Sequence, residues 1–270
     1  MKRTALDFLC CPHCHEHLSL DNDRGESFIH DGKLSSPHCE RRFPINNGIV
    51  QFISSDELDG LNRVFARFYE RFARFEAAID KLSFLPMGGE RKARNEILHR
   101  LELGTGRILE VSIGSGGNLP YLFESPECGE VYGLDISPAQ LDRCRRLVMK
   151  RGWPVDLFWG TAEALPFKAE SFDCVFHIGG INFFSDKKKA IQEMIRVARP
   201  GCKIVIADES ERVARLIARL FRLRSSQGGT VDTSVPVHLV PKTMESIQVD
   251  DIWKRHGQNH GYCLEFRKPS

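Results

Sequence analysis

Residues 108–119 read ILEVSIGSGGNL, and a second apolar run, VYGLDIS, follows at 131–137 with its acid at Asp135. Ile108–Ile113 is short, apolar and partly β-branched, which predicts a buried strand. It breaks into Gly114, Ser115, Gly116 and Gly117, a tight strand-to-helix turn whose bare backbone lets a ligand approach closely. Asp135 stands 21 positions after Gly114, about where a nucleotide-binding βαβ unit places a carboxylate on ribose hydroxyls. The stretch therefore predicts an adenosine-containing ligand.

A dinucleotide fingerprint requires a third glycine and sets a pyrophosphate on the helix N-terminus. Here that slot holds Leu119, and an acid, Glu110, lies in the strand just before the turn. A carboxylate there suits a cationic ligand better than a pyrophosphate. S-adenosylmethionine has no phosphate and carries a sulfonium and an ammonium. On Ile108, Leu109, Glu110, Gly114 and Gly116 the chain resembles the class I S-adenosylmethionine-dependent methyltransferases of the type 11 group, whose first motif looks like V-L-E-x-G-x-G-x-G. Ser112 departs from it, standing where the family usually has its first glycine. The resemblance implies cofactor contacts from Glu110, Gly114, Ser115, Gly116, Asn118, Asp135 and Ile136.

Downstream, strands and helices alternate as in a parallel sheet. Pro138–Arg151 predicts a helix and Val155–Trp159 a strand that leads into GTAEALPF at 160–167. The family's equivalent loop often reads G-D-A-E-x-L-P-F and meets the adenine. That implies cofactor contacts from Thr161, which replaces the acid, and from Ala162 and Glu163. SFDCVFHIGG at 171–180 resembles the fourth motif, so His177 faces the methionine part and the acceptor. It is the candidate catalytic base, since histidine ionises near neutrality; Asn182 is a candidate for orienting the acceptor. ARPGCKIVIADES at 198–210 supplies the fifth strand, while Met244–Trp253 and Tyr262–Arg267 predict an antiparallel edge hairpin. The implied fold is α/β: a Rossmann-like, seven-stranded methyltransferase sheet with that C-terminal hairpin, preceded by a small zinc-ribbon-like module.

The module rests on Cys10, Cys11, Cys14 and Cys39, set among several histidines. Cys11-Pro-His-Cys14 is a C-x-x-C knuckle able to share one face of a tetrahedral zinc ion. With FPI…GIV at 43–50, the stretch resembles the zinc ribbon of the Trm112-like group. Laid on that pattern, Cys39 is the fourth ligand and the third falls on Ser36, a very poor zinc ligand. Two readings stay open: zinc on Cys11, Cys14 and Cys39 completed by His38 or Cys10, or a metal-free ribbon packed on Leu9, Leu18, Leu20, Phe28, Phe43 and Ile45.

The expected organisation is a module over 1–54, a helical cap over 55–103 and the methyltransferase core over 104–270. Ser54 is the expected N-cap of a helix with Leu61, Phe65, Phe68, Phe72, Phe75 and Ile79 on one face and Arg63, Arg67, Arg71 and Arg74 on another. A second helix is expected over about 90–103. Residues 211–224 predict an amphipathic helix with a basic face, suited to a lid, a dimer contact, RNA or peripheral contact with an anionic membrane.

Composition, 41% hydrophobic and 27% charged, lies well away from the disordered class, and a net charge of +2 gives no global argument for nucleic acid. No apolar run approaches the roughly 20 residues of a membrane span. The N-terminus lacks the apolar core of a signal peptide, so a cytoplasmic enzyme is expected. Three functions follow: methyl transfer to a small quinone-, lipid- or thiol-like acceptor; methyl transfer to RNA; or a cofactor-binding partner protein without activity. Near-neutral charge and the lack of an N-P-P-Y-type fourth motif favour the first.

Overall fold

The structure, a computed structural model, describes residues 1–21, 25–72, 84–220, 223, 231–254 and 257–270. The N-terminal module contributes β1 (Ser19–Leu20), β2 (Gly32–Ser35), β3 (Arg42–Asn46) and β4 (Ile49–Gln51). Helices α1 (Gly60–Phe72) and α2 (Glu90–Leu98) follow. The core then runs β5 (Arg107–Val111), α3 (Leu119–Leu122), β6 (Glu130–Asp135), α4 (Pro138–Arg151), β7 (Val155–Trp159), β8 (Cys174–Ile178), α5 (Lys187–Val197) and β9 (Lys203–Glu209). Helix α6 (Glu211–Leu220) and the hairpin β10 (Glu245–Ile252) and β11 (Gly261–Arg267) complete it.

The expected seven strands lie in the order β7-β6-β5-β8-β9-β11-β10. The first five are parallel and the last two antiparallel. The central strands are apolar because helices cover both faces. β10 is an exposed edge, and Glu245, Asp250 and Asp251 on it discourage pairing with another chain. Helix α4 starts where its sequence signals say it should: the Ser137 Oγ accepts the Gln140 N–H, Pro138 occupies the first turn, and Gly152 closes the helix at φ 67°.

The module is not a separate layer. β4 pairs parallel with β7, matching Val50 with Phe158 and Gln51 with Trp159, so β1–β4 extend one eleven-stranded sheet. The hydrophobic core is continuous across this seam. Phe8 packs edge-on to Tyr132 at 5.0 Å and to Phe172 at 5.8 Å. Of the expected module core, Leu9, Leu18, Phe43 and Ile45 are buried, but Phe28 is 41% exposed.

The cap departs from its expectation. The helix begins at Gly60, and Ser54 instead closes a turn in which Glu57 Oε2 accepts the Ser54 N–H at 2.8 Å. Leu58, which is buried, and Asp59 separate that turn from Gly60. Leu61 is buried, whereas Phe75, Ile79 and Arg74 lie outside the described residues. α2 stops at Leu98, where the chain tightens into a turn through Arg100 and Leu101.

Candidate functional site

Four neighbouring parallel strands end on one side of the sheet, and each delivers an expected site residue there. Glu110 is the penultimate residue of β5, Asp135 the last of β6, Thr161–Glu163 follow β7, and His177 is the penultimate residue of β8. Such strand ends are where open α/β sheets bind ligands.

The glycine turn is shaped by backbone conformation. Ser112 sits at φ 62°, Gly114 at φ 57° and Gly116 at φ 83°, all left-handed. A Cβ on Gly116 would come within 2.8 Å of Cys144 Sγ, so glycine is required there for packing as well. Asp135 pins the turn: its Oδ2 accepts the Gly114 N–H and its Oδ1 the Ser137 N–H, both at 2.8 Å. Ile136 is held by its carbonyl, which accepts Trp159 Nε1–H at 2.9 Å.

Glu110 is 1% exposed and belongs to a buried polar relay. Asn118 Nδ2 donates to its Oε1 at 2.6 Å, Arg94 Nη1 donates to Asn118 Oδ1 at 2.7 Å, and Arg94 Nε donates to Glu90 at 2.9 Å. Burial pushes the Glu110 carboxyl up to about 8, against the Asn118 bond and the Arg94 charge. Arg94 was not legible in the sequence, because an arginine on a predicted helix reads as solvated.

Glu163 turns elsewhere. Its Oε1 accepts Asn62 Nδ2–H at 2.9 Å and the Asp186 N–H at 3.3 Å, which latches α1 to the loop before α5. Thr161, Ala162 and Ser115 lie at the strand-end side, with the Thr161 carbonyl closing a turn onto the Ala164 N–H.

His177 is fully buried, and its Nδ1 lies 2.9 Å from the Val111 carbonyl. A carbonyl only accepts, so Nδ1 carries the proton, and Nε2 keeps a lone pair with no partner among the described residues. Burial holds its pKa below the usual histidine range, while the negative charge of Asp208 opposes that shift. Asp208 also organises the acceptor side: it accepts the Gly180 N–H at 3.0 Å and the Asn182 N–H at 2.8 Å. Asp208 is the penultimate residue of β9, at the same side of the sheet as Asp135. The Phe184 ring lies 5.1 Å from the His177 ring, and Phe65 stacks on Phe183 at 4.8 Å. Phe184 also lines a cavity of about 250 Å³, with Leu61, Val231 and Leu239 as its apolar wall and Asn182, Ser185, Asp186, Lys187, Lys188 and Asp232 as its polar one.

These residues fit an adenosine-bearing cation. Glu110 Oε2 and His177 Nε2 are buried polar atoms without partners among the described residues, and the space that a Cβ on Gly114 would enter is open.

In the module, Cys11, Cys14 and Cys39 bring their sulfurs within 4.8 Å of one another. Cys39 Sγ lies 3.5 Å from both other sulfurs. His38 is exposed and outside this group, and Cys10 is fully buried against Arg196, so neither expected substitute completes the set. The chain direction explains this: the turn that carries Cys39 inward points its neighbour out. Ser36 takes the corner instead, 1% exposed with its Oγ 3.4 Å from Cys14 Sγ. Hydrogen bonds from the Ser36 hydroxyl and the Arg41 N–H bring the Cys39 thiol down to about 6. Three clustered thiols with a hydroxyl beside them fit a zinc ion, with one weak ligand.

Comparisons with known proteins agree with this geometry. The family described as a methyltransferase domain matches residues 109–206, and the Trm112p-like family matches residues 2–48. Phthiotriol/phenolphthiotriol dimycocerosates methyltransferase of Mycobacterium leprae is 35% identical over 121 residues, 43% of this chain and 44% of that protein. The chain thus spans under half the length of that relative. Demethylmenaquinone methyltransferase of Thermus thermophilus is 36% identical over 172 residues, 62% of this chain and 78% of that protein. A chain from the complex between the Haloferax volcanii Trm112 methyltransferase activator and a methyltransferase shares the fold, with a TM-score of 0.58 at 15% identity over 79% of this chain and 99% of that one. With the strand order, the strand-end residues and these matches together, the chain belongs to the class I S-adenosylmethionine-dependent methyltransferases and carries a Trm112-like module at its N-terminal end.

Proposed function

We propose that this chain transfers a methyl group from S-adenosylmethionine to a small quinone-, lipid- or thiol-like acceptor. When bound, the cofactor supplies a methyl group already activated on a sulfonium, so the protein must position the acceptor and, where it is protonated, take its proton. Glu110 faces the cationic part, Asp135 with Ile136 the ribose, and Thr161 with Ala162 the adenine. His177 Nε2 takes the acceptor proton, and the Asp208 charge steadies the imidazolium that results. Glu163 acts as a latch on α1.

One observation carries the small-molecule reading. The His177 Nε2, without a partner among the described residues, lies by Phe184, which lines a cavity whose wall sets apolar side chains against a charged end holding the Lys187–Asp232 pair, Asp186 and Lys188. Such a wall suits an amphipathic molecule, with an apolar body against Leu61, Phe184 and Leu239 and a polar end at the charged side. The two relatives named above act on a lipid and on a quinone precursor by their names, which supports the same class. The nine cysteines are unpaired, which suits a reducing cytoplasm. No helix among the described residues is long and apolar enough to cross a membrane.

The test is to give the purified chain methyl-labelled S-adenosylmethionine and a cell lysate, then partition the products. Label in the solvent-extractable fraction is the expected result. Label in RNA would overturn it in favour of an RNA methyltransferase, and cofactor binding without any transfer would leave a cofactor-binding partner protein.

A further inference from the structure

Two helices lie at the cavity that Phe184 lines, one in its wall and one bonded to the segment beside it. Leu61 of α1 lines it directly, and α6 is tied by Glu211, whose Oε1 accepts the Val235 N–H at 3.4 Å, to the segment that runs between the lining residues Asp232 and Leu239. Both helices turn a mixed arginine and aliphatic face outward. On α6 Ala214 is buried, while Leu216 and Leu220, one turn apart, are 57% and 70% exposed. Arg212, Arg215 and Arg219 are exposed around them. On α1 Val64 is 47% exposed, between exposed Arg63 and Arg67.

We infer that the outer faces of α1 and α6 form a docking surface for an anionic lipid bilayer, which presents an amphipathic acceptor to the cavity that Leu61 lines. The inference rests on the small-molecule reading above and names where such an acceptor comes from. Leucines rise into the acyl boundary while arginines meet lipid phosphates, the usual division of labour in an interfacial helix. Charge decides among occupants. The only acid in α6 is Glu211, in its first turn and paired with Arg215 at 3.6 Å, so the outer face keeps a net positive charge through Arg212 and Arg219 and is complementary to an anionic surface. A second copy packed through the same face would set arginine against arginine. An RNA backbone would satisfy the arginines and leave Leu216 and Leu220 in water.

The experiment is co-sedimentation of the full chain with vesicles of phosphatidylcholine alone and of phosphatidylcholine mixed with phosphatidylglycerol in equal parts. The chain should pellet with the mixed vesicles only, and less as salt rises. Each arginine is worth about fivefold in partition, so Arg212→Gln with Arg219→Gln should lower it by roughly thirtyfold. Leu216→Glu with Leu220→Glu should abolish it. Cofactor affinity, read in parallel, should be unchanged in both variants, which shows that they fold. Equal partition of wild type and the leucine variant would overturn the proposal. So would a wild-type dimer that this variant dissociates, or RNA binding in a chain that ignores vesicles. Transfer to a detergent-dispersed acceptor without vesicle binding removes the surface and leaves the function; vesicle binding with label in RNA removes the function reading instead.

Discussion

Asn118 Nδ2 reaches Glu110 Oε1 at 2.6 Å, so the residue that ends the glycine turn holds the acid that precedes it. Burial pushes that acid up to about 8, and its Oε2 has no partner among the described residues. A cationic ligand favours the charged carboxylate, so binding expels the proton that Glu110 holds at neutral pH. A proton released on binding means affinity that rises with pH, by at most about tenfold per unit, up to the free-state value near 8. Calorimetric titration of S-adenosylmethionine from about pH 6 upward should show this rise in the wild type and a flat, weaker profile in Glu110→Gln. A flat wild-type profile would separate Glu110 from the cofactor's charge.

His177 acts at a different step. Its Nδ1 is committed to the Val111 carbonyl, so only Nε2 is free to take a proton. His177→Gln keeps a side chain able to bond Val111 but offers no base, and kcat should fall by about 10²–10⁴ with cofactor affinity nearly unchanged. Because burial lowers the histidine pKa, the wild-type rate should stay level through neutrality and fall only below the ordinary histidine range of about 6.5. A full-rate variant would assign His177 to structure.

Ser112 shows what the family's missing glycine costs. At φ 62° a side chain is strained by about 1–2 kcal/mol. Glycine removes that strain but loses about 0.5–1 kcal/mol through the freer unfolded chain. Ser112→Gly should therefore stabilise the protein by about 0.5–1 kcal/mol, seen as a small rise in the thermal midpoint. A fall would mean that the serine side chain makes a compensating contact in the turn.

Much of this site was legible in residue order, and the reasons differ by residue. Asp135, Gly116 and His177 are set by strand ends and tight turns, which local sequence encodes directly. Helix α4 was legible to the residue because its cap, proline and closing glycine are all local. Arg94, Asn62 and Asp208 act across long sequence separations: Asn62 reaches Glu163 from 101 positions away. Pattern cannot show which of many polar helix residues points inward. The joining of β4 to β7 was invisible for the same reason, since strand pairing between distant segments leaves no periodic trace. His38 failed because proximity in sequence to Cys39 says nothing about side-chain direction.

Ser36 occupies the corner of the thiol cluster that a fourth cysteine would take, and it is nearly inaccessible to solvent. A neutral hydroxyl contributes far less to zinc than a thiolate, so the wild-type chain should bind zinc with an affinity below that of complete four-cysteine ribbons. Ser36→Cys changes one atom at a buried position already in contact with Cys14, so the substitution should fit without repacking. Competition against a chromogenic chelator should show at least tenfold tighter zinc in this variant, and proton release on binding should increase because one more thiol must ionise. Cys14→Ser in the wild type should weaken zinc by a similar factor in the opposite direction. Equal affinity in wild type and Ser36→Cys would mean that residue 36 does not face the metal, and that a fourth ligand enters from outside the cluster.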